Sequence, residues 1–343
     1  MDEPRGDPAR LPDAQPGASP SKRWLWTAAK WTLCLIVLVF VAKRAVDLWR
    51  QSDQTAIRVQ FGWLMLSGMA YLAGWLPSVW FWRALMRSLG ATVGFADSLR
   101  AYYCGHLGKY IPGKVLVPGI RATLVQDRGS RFATAALAAV YETLLMMGAG
   151  LAIGLALLPI TGWPVWLAES LRIKWIAPFA VAAGCILLLP VMSKLLTYIA
   201  VRTVGAKLGE AGPPHHIPMR LIAVGLLAFV VGWMLQGLSL GLTLRAVSDD
   251  PINLRDWPVW TGSIAISTSI GFLMIFAPGG VGVREGLLME VLRIQPSITE
   301  KQAITAAVLS RLVSLAAEIA AAVVLYYMVR SKSPRSSQVA EDS

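Results

Sequence analysis

Charged residues are scarce in this sequence. Asp, Glu, Lys and Arg together make up 15% of its 343 residues, whereas a soluble globular domain carries roughly 25%. Apolar residues account for 55%, and the mean hydropathy is +0.56. This excess of apolar surface argues against an ordinary soluble enzyme domain and predicts an integral membrane protein.

Cysteine and histidine are also few, which limits the chemistry that the chain can perform. The three cysteines are isolated and form no Cys-X-X-Cys pair: Cys34, Cys104 and Cys185. His215 and His216 lie in a Pro-rich stretch far along the chain from His106, so the histidines form no ligand set. Asp249-Asp250 could imitate the acidic pair of a membrane glycosyltransferase, but no second carboxylate cluster accompanies it. We therefore expect no disulfide framework, no metal or other cofactor, no catalytic residue and no enzymatic activity.

The net charge of +12 does not by itself indicate a nucleic-acid partner. No basic run interleaved with aromatic residues, the usual sign of such a partner, occurs outside the loops that flank apolar segments. Lys and Arg concentrate in the cytoplasmic loops of membrane proteins, where they meet anionic lipid headgroups. We expect contact with membrane lipid and none with nucleic acid.

Composition divides the chain into two tails and one domain. Residues 1–22 contain five prolines among Gly, Asp, Arg and Ser, with too little apolar surface to fold. We predict a disordered cytoplasmic tail over 1–22, a polytopic transmembrane domain over 23–330 and a short polar C-terminal tail over 331–343. The first apolar run, 24–41, is too long and too rich in Trp for a signal peptide, so we expect it to remain as a helix.

Seven apolar runs are long enough to cross a bilayer core of about 30 Å as helices of about 20 residues. They are residues 24–41, 59–82, 132–158, 175–200, 219–244, 258–277 and 303–329. Two shorter segments, 98–121 and 279–293, are broken by Pro and Gly and carry charges, which is typical of re-entrant segments. The sequence predicts an all-α, polytopic membrane helix bundle with seven to eight transmembrane helices and one or two re-entrant broken segments.

Basic residues near the helix ends predict the orientation. The loop 83–131 contains eight Lys or Arg residues and two Asp residues, so we expect it to be cytoplasmic. Two helices precede it, which places the N-terminus in the cytoplasm and the acidic loop 245–256 outside. The basic C-terminal residues favour eight crossings over seven, because an even number returns them to the cytoplasm.

Three charged residues lie inside apolar runs, where insertion into lipid costs about 2.5–3.5 kcal/mol each. They are Glu142, and Arg311 and Glu318 seven residues apart in the last run. One interpretation is an interhelical ion pair that stabilises the bundle. The other is a headgroup or proton site in a wet central cavity, in which Arg311 binds substrate and Glu142 and Glu318 couple charge.

The stretch 276–286, Phe-Ala-Pro-Gly-Gly-Val-Gly-Val-Arg-Glu-Gly, is the most specific local signal. Its backbone is expected to break at four residues: Pro278, Gly279, Gly280 and Gly282. A helix that starts near Val283 would attract a phosphate or carboxylate to its N-terminus, with Arg284 adding a full charge and Glu285 coupling charge. The alternative is a plain loop in solvent.

The first broken segment, 108–121, offers similar chemistry. Its interruptions are expected at Pro112, Gly113 and Pro118, and its cations are Lys109, Lys114 and Arg121. We assign Lys114 and Arg121 to binding of an anionic substrate. Snorkelling of these cations to interfacial phosphates is the alternative.

The two broken segments each precede an apolar run that carries one acid, Glu142 in the first case and Glu318 in the second. Transporters are often built from two such repeats, with broken helices that meet near the bilayer midplane. A chance likeness is the alternative, because Pro-Gly before a helix is common.

Four stretches resemble the transmembrane domain of the lysylphosphatidylglycerol synthase, or flippase-like, family. They are 108–121 with Pro-Gly-Lys, 132–142, 277–285 with Pro-Gly-Gly-Val-Gly-Val-Arg-Glu, and 310–313 followed by Glu318. The similarity covers about residues 25–330. It implies a multi-pass protein in a bacterial-type inner (plasma) membrane, related to a domain that moves aminoacylated phospholipid between leaflets. About a dozen residues follow the last predicted helix, so we do not expect the soluble aminoacyl-transferase domain or its activity.

Two functional hypotheses follow. The first is a translocator of an anionic or aminoacylated phospholipid or a lipid-linked headgroup, with that lipid as its partner. The second is a non-transporting membrane partner or scaffold of a glycosyltransferase or lipid-modifying enzyme.

Overall fold

In a computed structural model of the chain, the described residues are 59–110, 116–126, 128–161, 171–200, 217–248, 253–274, 280 and 282–329, with positions 43 and 46. These ranges are helical and contain no β-sheet, which confirms the all-α prediction. The predicted first helix over 24–41 and the tails 1–22 and 331–343 lie outside the described ranges.

The described helices follow the predicted apolar runs closely. In chain order they are α1 (Phe61–Ser88), α2 (Phe95–His106), a 3₁₀ turn (Leu107–Tyr110), α3 (Leu116–Val125), α4 (Phe132–Thr161), α5 (Leu171–Ala200), α6 (Met219–Ala246), a second 3₁₀ turn (Leu254–Asp256), α7 (Trp257–Leu273), α8 (Val283–Arg293) and α9 (Glu300–Met328). Each of the six runs predicted from residue 59 onward corresponds to one helix, of which α7 is the shortest at 17 residues, because apolar stretches satisfy their backbone within a helix.

Four of the described helices are long and apolar enough to cross a membrane: α1, α4, α6 and α9. Each has an apolar span of 26 to 29 described residues, which exceeds the roughly 20 that a bilayer core requires. Their large apolar side chains are exposed on the outside of the bundle, as for Phe61, Leu227 and Val324. Such a surface is suited to contact with lipid tails.

Small residues allow α1 and α6 to pack closely. A Cβ atom on Gly232 of α6 would lie 2.9 Å from the backbone oxygen of Gly74 on α1. The hydroxyl of Ser67 on α1 lies 2.9 Å from that of Ser239 and 2.8 Å from that of Thr243 on α6. Close backbone approach and interhelical hydrogen bonds are the usual means of helix association in lipid, where the hydrophobic effect between helices is absent.

The short helices lie where the sequence predicts broken segments. α8 begins at Val283, as predicted, after Gly280 and Gly282 with φ of +68° and +88°. The prediction that Pro118 interrupts a helix is wrong. Pro118 lies in the first turn of α3, where a missing N–H costs no helical hydrogen bond.

Each short helix packs against the long helix that follows it, α3 against α4 and α8 against α9. α2 also contacts α9 and α1, and α8 contacts α7. The acids Glu142 and Glu318 therefore lie on the two long helices that hold the short ones, in keeping with the two-part pattern of the sequence.

Candidate functional site

The first buried ion pair joins α3 to α4. Arg121 Nη1 lies 2.8 Å from Glu142 Oε2, and both side chains are at most 2% exposed. The hydroxyl of Tyr102 donates a hydrogen bond of 3.0 Å to Glu142 Oε1. The guanidinium of Arg121 lies 3.6 Å from the centre of the Tyr102 ring. Buried charges are tolerated when they are paired and hydrogen-bonded in this way.

A glycine on α2 makes room for Arg121. A Cβ atom on Gly105 would lie 2.5 Å from Cγ of Arg121, closer than two carbon atoms can approach. A larger residue at this position would displace the side chain of Arg121 and with it the contact to Glu142. The position of the ion pair thus depends on a residue that carries no charge.

The second cluster surrounds Glu318 on α9, whose side chain is fully buried. Its carboxylate accepts hydrogen bonds from the hydroxyl of Tyr71 on α1 and the ammonium of Lys109 in the 3₁₀ turn. The hydroxyl of Tyr110 donates a third bond of 2.9 Å to Oε2. Three donors from two separate elements hold this single carboxylate in place.

His106 lies between the two ion pairs. Its Nε2 atom is 3.5 Å from Glu318 Oε1, and its Nδ1 atom is 3.5 Å from Arg121 Nη2. The imidazole packs edge-on against Trp75, with ring centres 4.2 Å apart. The ionisable groups form a continuous series, which we call the ionic chain: Glu142, Arg121, His106, Glu318 and Lys109.

A further set of charges lies at the start of α8. Glu285 Oε2 accepts a hydrogen bond of 2.7 Å from the N–H of Gly282, and its Oε1 lies 3.7 Å from Nε of Arg311 on α9. The guanidinium of Arg311 is 5.0 Å from the centre of the Tyr110 ring, which connects this set to Glu318. Arg284 is 9% exposed.

The structure brings six of the predicted site residues into this region: Arg121, Glu142, Arg284, Glu285, Arg311 and Glu318. The interpretation of an interhelical ion pair applies to both buried acids, because Glu142 is paired with Arg121 of α3 and Glu318 with Lys109 of the 3₁₀ turn. Gly280 and Gly282 form the expected break before α8. Five predicted residues lie outside the described ranges: Pro112, Gly113, Lys114, Pro278 and Gly279.

Sequence reasoning missed the neutral partners of the charges. The three tyrosines and His106 were not assigned to the site, and Lys109 was counted only as one cation of the broken segment. Two clues were available. Lys109 and Tyr110 adjoin the predicted break at Pro112, and His106 and Tyr102 precede it by about two and three helical turns. No clue in the sequence identifies Tyr71, which reaches Glu318 across 247 positions.

Chemically, the site can hold an anion and redistribute charge. Within the described ranges, no group of three His, Cys, Asp or Glu residues is placed to hold a metal ion. Four cations and three acids meet there, the cations being Lys109, Arg121, Arg284 and Arg311 and the acids Glu142, Glu285 and Glu318. Most of them are buried among protein atoms, where electrostatic interactions are stronger than in water.

Comparison with protein families gives one match that covers most of the chain. The family model described as the lysylphosphatidylglycerol synthase TM region matches residues 27–322. The match includes every described element of the site, from Tyr71 to Glu318. Among curated proteins, no match is found.

Proposed function

Because the chain belongs to the family of lysylphosphatidylglycerol synthase transmembrane regions, we propose that it translocates a lipid between the leaflets of a membrane. The lipid is an anionic or aminoacylated phospholipid, or a lipid-linked headgroup. The observation that carries the proposal is the buried ionic chain, which links the α2–α3 segment to the long helices α4 and α9.

A charged headgroup cannot cross a hydrocarbon core without replacement of its hydration, so a translocator must supply polar partners at membrane depth. The ionic chain offers both signs of charge. Broken helices are tolerated at that depth only where protein or a wet cavity surrounds them. In this proposal the α2–α3 and α8 segments re-enter the membrane and line the path of the headgroup.

The proposed topology has seven or eight crossings in a bacterial-type inner membrane, with the N-terminus in the cytoplasm. The basic loop 83–131 supports this orientation through the positive-inside rule. Arg83, Arg128 and Arg131 would then face anionic cytoplasmic lipids, while the α6–α7 connection faces the other side.

The test is lipid movement in proteoliposomes that contain NBD-labelled phosphatidylglycerol, read by quenching with a membrane-impermeant reductant. Glu142→Gln and Arg284→Ala should insert and purify as folded proteins but lose transleaflet movement. Intrinsic tryptophan fluorescence and gel filtration verify folding. Normal rates in both variants would exclude the proposed mechanism.

Glu290→Gln is the matched control. Glu290 lies on α8 only a few residues after Arg284, but it is about a third exposed and pairs with Arg293. This variant should move lipid at the rate of the wild type.

Co-purification with a membrane enzyme, together with no movement by the protein alone, would favour the scaffold hypothesis instead.

A further inference from the structure

The neighbours of the buried imidazole of His106 determine where it carries its hydrogen. Its Nδ1 atom lies 3.5 Å from Nη2 of Arg121. A guanidinium only donates hydrogen bonds, so Nδ1 accepts, and a neutral imidazole carries its hydrogen on Nε2. Nε2 faces Glu318, whose Oε1 atom is 3.5 Å away. His106 is therefore neutral in this structure and directs an N–H group at a carboxylate.

The oxygen that Nε2 faces already has two other donors. Oε1 of Glu318 accepts hydrogen bonds from the hydroxyl of Tyr71 and the ammonium of Lys109. A carboxylate oxygen has two lone pairs, and both are used. The contact of 3.5 Å is too long for a good N–H···O bond, and the buried Nε2 atom makes no hydrogen bond within the described part of the chain. The imidazole thus lies beside a carboxylate to which it is not bonded.

Two aromatic rings fix the orientation of His106. Its ring centre is 4.2 Å from that of Trp75, which packs edge-on, and 5.9 Å from that of Tyr102, which stacks on it. These contacts keep Nε2 directed at Glu318. Aromatic rings also attract a cation electrostatically, so the same surroundings can accept a positively charged imidazole.

His106 and Lys109 are two candidate counter-charges for a single acid. His106 is the last residue of α2, and Lys109 follows in the 3₁₀ turn. Both face the same oxygen of Glu318, which is fully buried. One counter-charge balances this carboxylate, whereas two would leave one buried positive charge without compensation. Lys109 and a protonated His106 are therefore alternatives.

We infer that His106 is a proton-binding site and that occupation of this site releases Lys109 from Glu318. A proton from water binds Nδ1, the positively charged imidazole donates its Nε2–H to Oε1, and the Lys109 ammonium leaves that oxygen. One cation replaces another, so the carboxylate stays balanced. The Lys109 side chain is 21% exposed, so its released ammonium can reach solvent. The inference goes beyond the proposed function, because it holds whether or not lipid moves.

The other charges around His106 make the exchange necessary. Arg121 and Arg311 repel a further positive charge at the imidazole, so a proton binds favourably only when Lys109 leaves. Arg121 loses its 3.5 Å contact with Nδ1 but keeps Glu142 at 2.8 Å through Nη1. The charged and titratable groups packed around His106 and its partners are Tyr71 on α1, Tyr102 on α2, Lys109 and Tyr110 in the 3₁₀ turn, Arg121 on α3, Glu142 on α4, and Arg311 and Glu318 on α9.

The direct test is NMR spectroscopy of the purified full chain, labelled with ¹⁵N-histidine, in detergent between pH 8.5 and 4.5. The chain contains three histidines, and the signals of His106 are those that disappear in His106→Gln. At pH 8.5 we expect the tautomer with hydrogen on Nε2. A hydrogen on Nδ1 at that pH would overturn the inference.

Two variants separate an exchange from simple repulsion. Lys109→Gln removes the competing ammonium, so His106 should take up its proton at a pH at least about one unit higher than in the wild type. Arg311→Gln also removes a nearby charge but leaves Lys109 on Glu318, so its effect should be less than half as large. Glu290→Gln should behave like the wild type. Equal effects of Lys109→Gln and Arg311→Gln, or no proton uptake by His106 in Lys109→Gln down to pH 4.5, would contradict the exchange.

The release of Lys109 has its own measurement. An ammonium bonded to a carboxylate keeps its proton and resists acetylation, whereas a released one can lose it and react. Acetylation by a water-soluble reagent is quantified by mass spectrometry relative to Lys301, which is partly exposed on α9. As His106 takes up its proton, the ratio of Lys109 to Lys301 labelling should rise at least threefold in the wild type and stay constant in His106→Gln. A constant ratio in the wild type, or an equal rise in both proteins, would overturn the inference.

Discussion

The Arg121–Glu142 pair provides a quantitative test of the buried charges. Its atoms are 2.8 Å apart, and both side chains are at most 2% exposed. Replacement of one partner leaves the other charged and buried, which typically costs about 3–5 kcal/mol. We therefore expect Glu142→Gln or Arg121→Gln alone to lower the free energy of unfolding by that amount. The equilibrium constant for unfolding would then rise more than a hundredfold.

The double variant distinguishes a pair from two independent contacts. Arg121→Gln with Glu142→Gln removes both charges, so its loss should fall short of the sum of the single losses by about 2–3 kcal/mol. The assay is reversible unfolding in mixed micelles, followed by tryptophan fluorescence. Additive losses would show that the two residues do not stabilise each other. That result would contradict the pairing of Arg121 with Glu142 in the ionic chain.

Three further predictions concern the backbone and the orientation. Gly282→Ala should destabilise the protein by about 1–3 kcal/mol, because φ is +88° at this position. Gly225→Ala should cost a similar amount by overpacking, since the new methyl group would lie 2.2 Å from the Phe81 ring; both losses are measured in the same micelle assay. In a background without other cysteines, Arg131→Cys should resist an impermeant maleimide applied outside intact cells, whereas Arg255→Cys should react. The reverse labelling pattern would contradict the orientation.

A control on α4 accompanies the glycine variants. A Cβ atom on Gly148 would meet no atom of another residue within 4 Å. Gly148→Ala should therefore leave stability unchanged or raise it, because alanine favours a helix more than glycine does. A loss equal to that of Gly225→Ala would show that packing around these glycines is not the cause.

The described helices could be predicted because lipid imposes a simple rule. A long apolar run has to satisfy its backbone internally, so α1, α4, α6 and α9 follow directly from hydropathy. The start of α8 was predicted equally well, since Pro and a cluster of glycines mark the end of one helix and permit the start of another. The effect of Pro118 was not predicted correctly, because a proline inside a helix and a proline in the first turn of a helix look alike in the sequence.

Pairing within the site could not be predicted for a different reason. A buried charge in a sequence shows that a partner is needed, but it does not show which one. Arg311 and Glu318 lie two turns apart on one helix, and the partner of Glu318 is Lys109 in the 3₁₀ turn, far away in the sequence. The choice depends on how α2 packs against α9 and on the room that Gly105 leaves for Arg121. These contacts join distant parts of the chain and have no local signature.

The central claim is that this chain moves lipid from one leaflet to the other. The most direct measurement compares proteoliposomes containing the wild type with protein-free vesicles of the same composition, each carrying NBD-labelled phosphatidylglycerol in both leaflets. In protein-free vesicles, an impermeant reductant should quench about half of the signal, since slow spontaneous exchange protects the inner leaflet. The account predicts that quenching approaches completion with the wild type. Quenching that stops at half in both samples would contradict it.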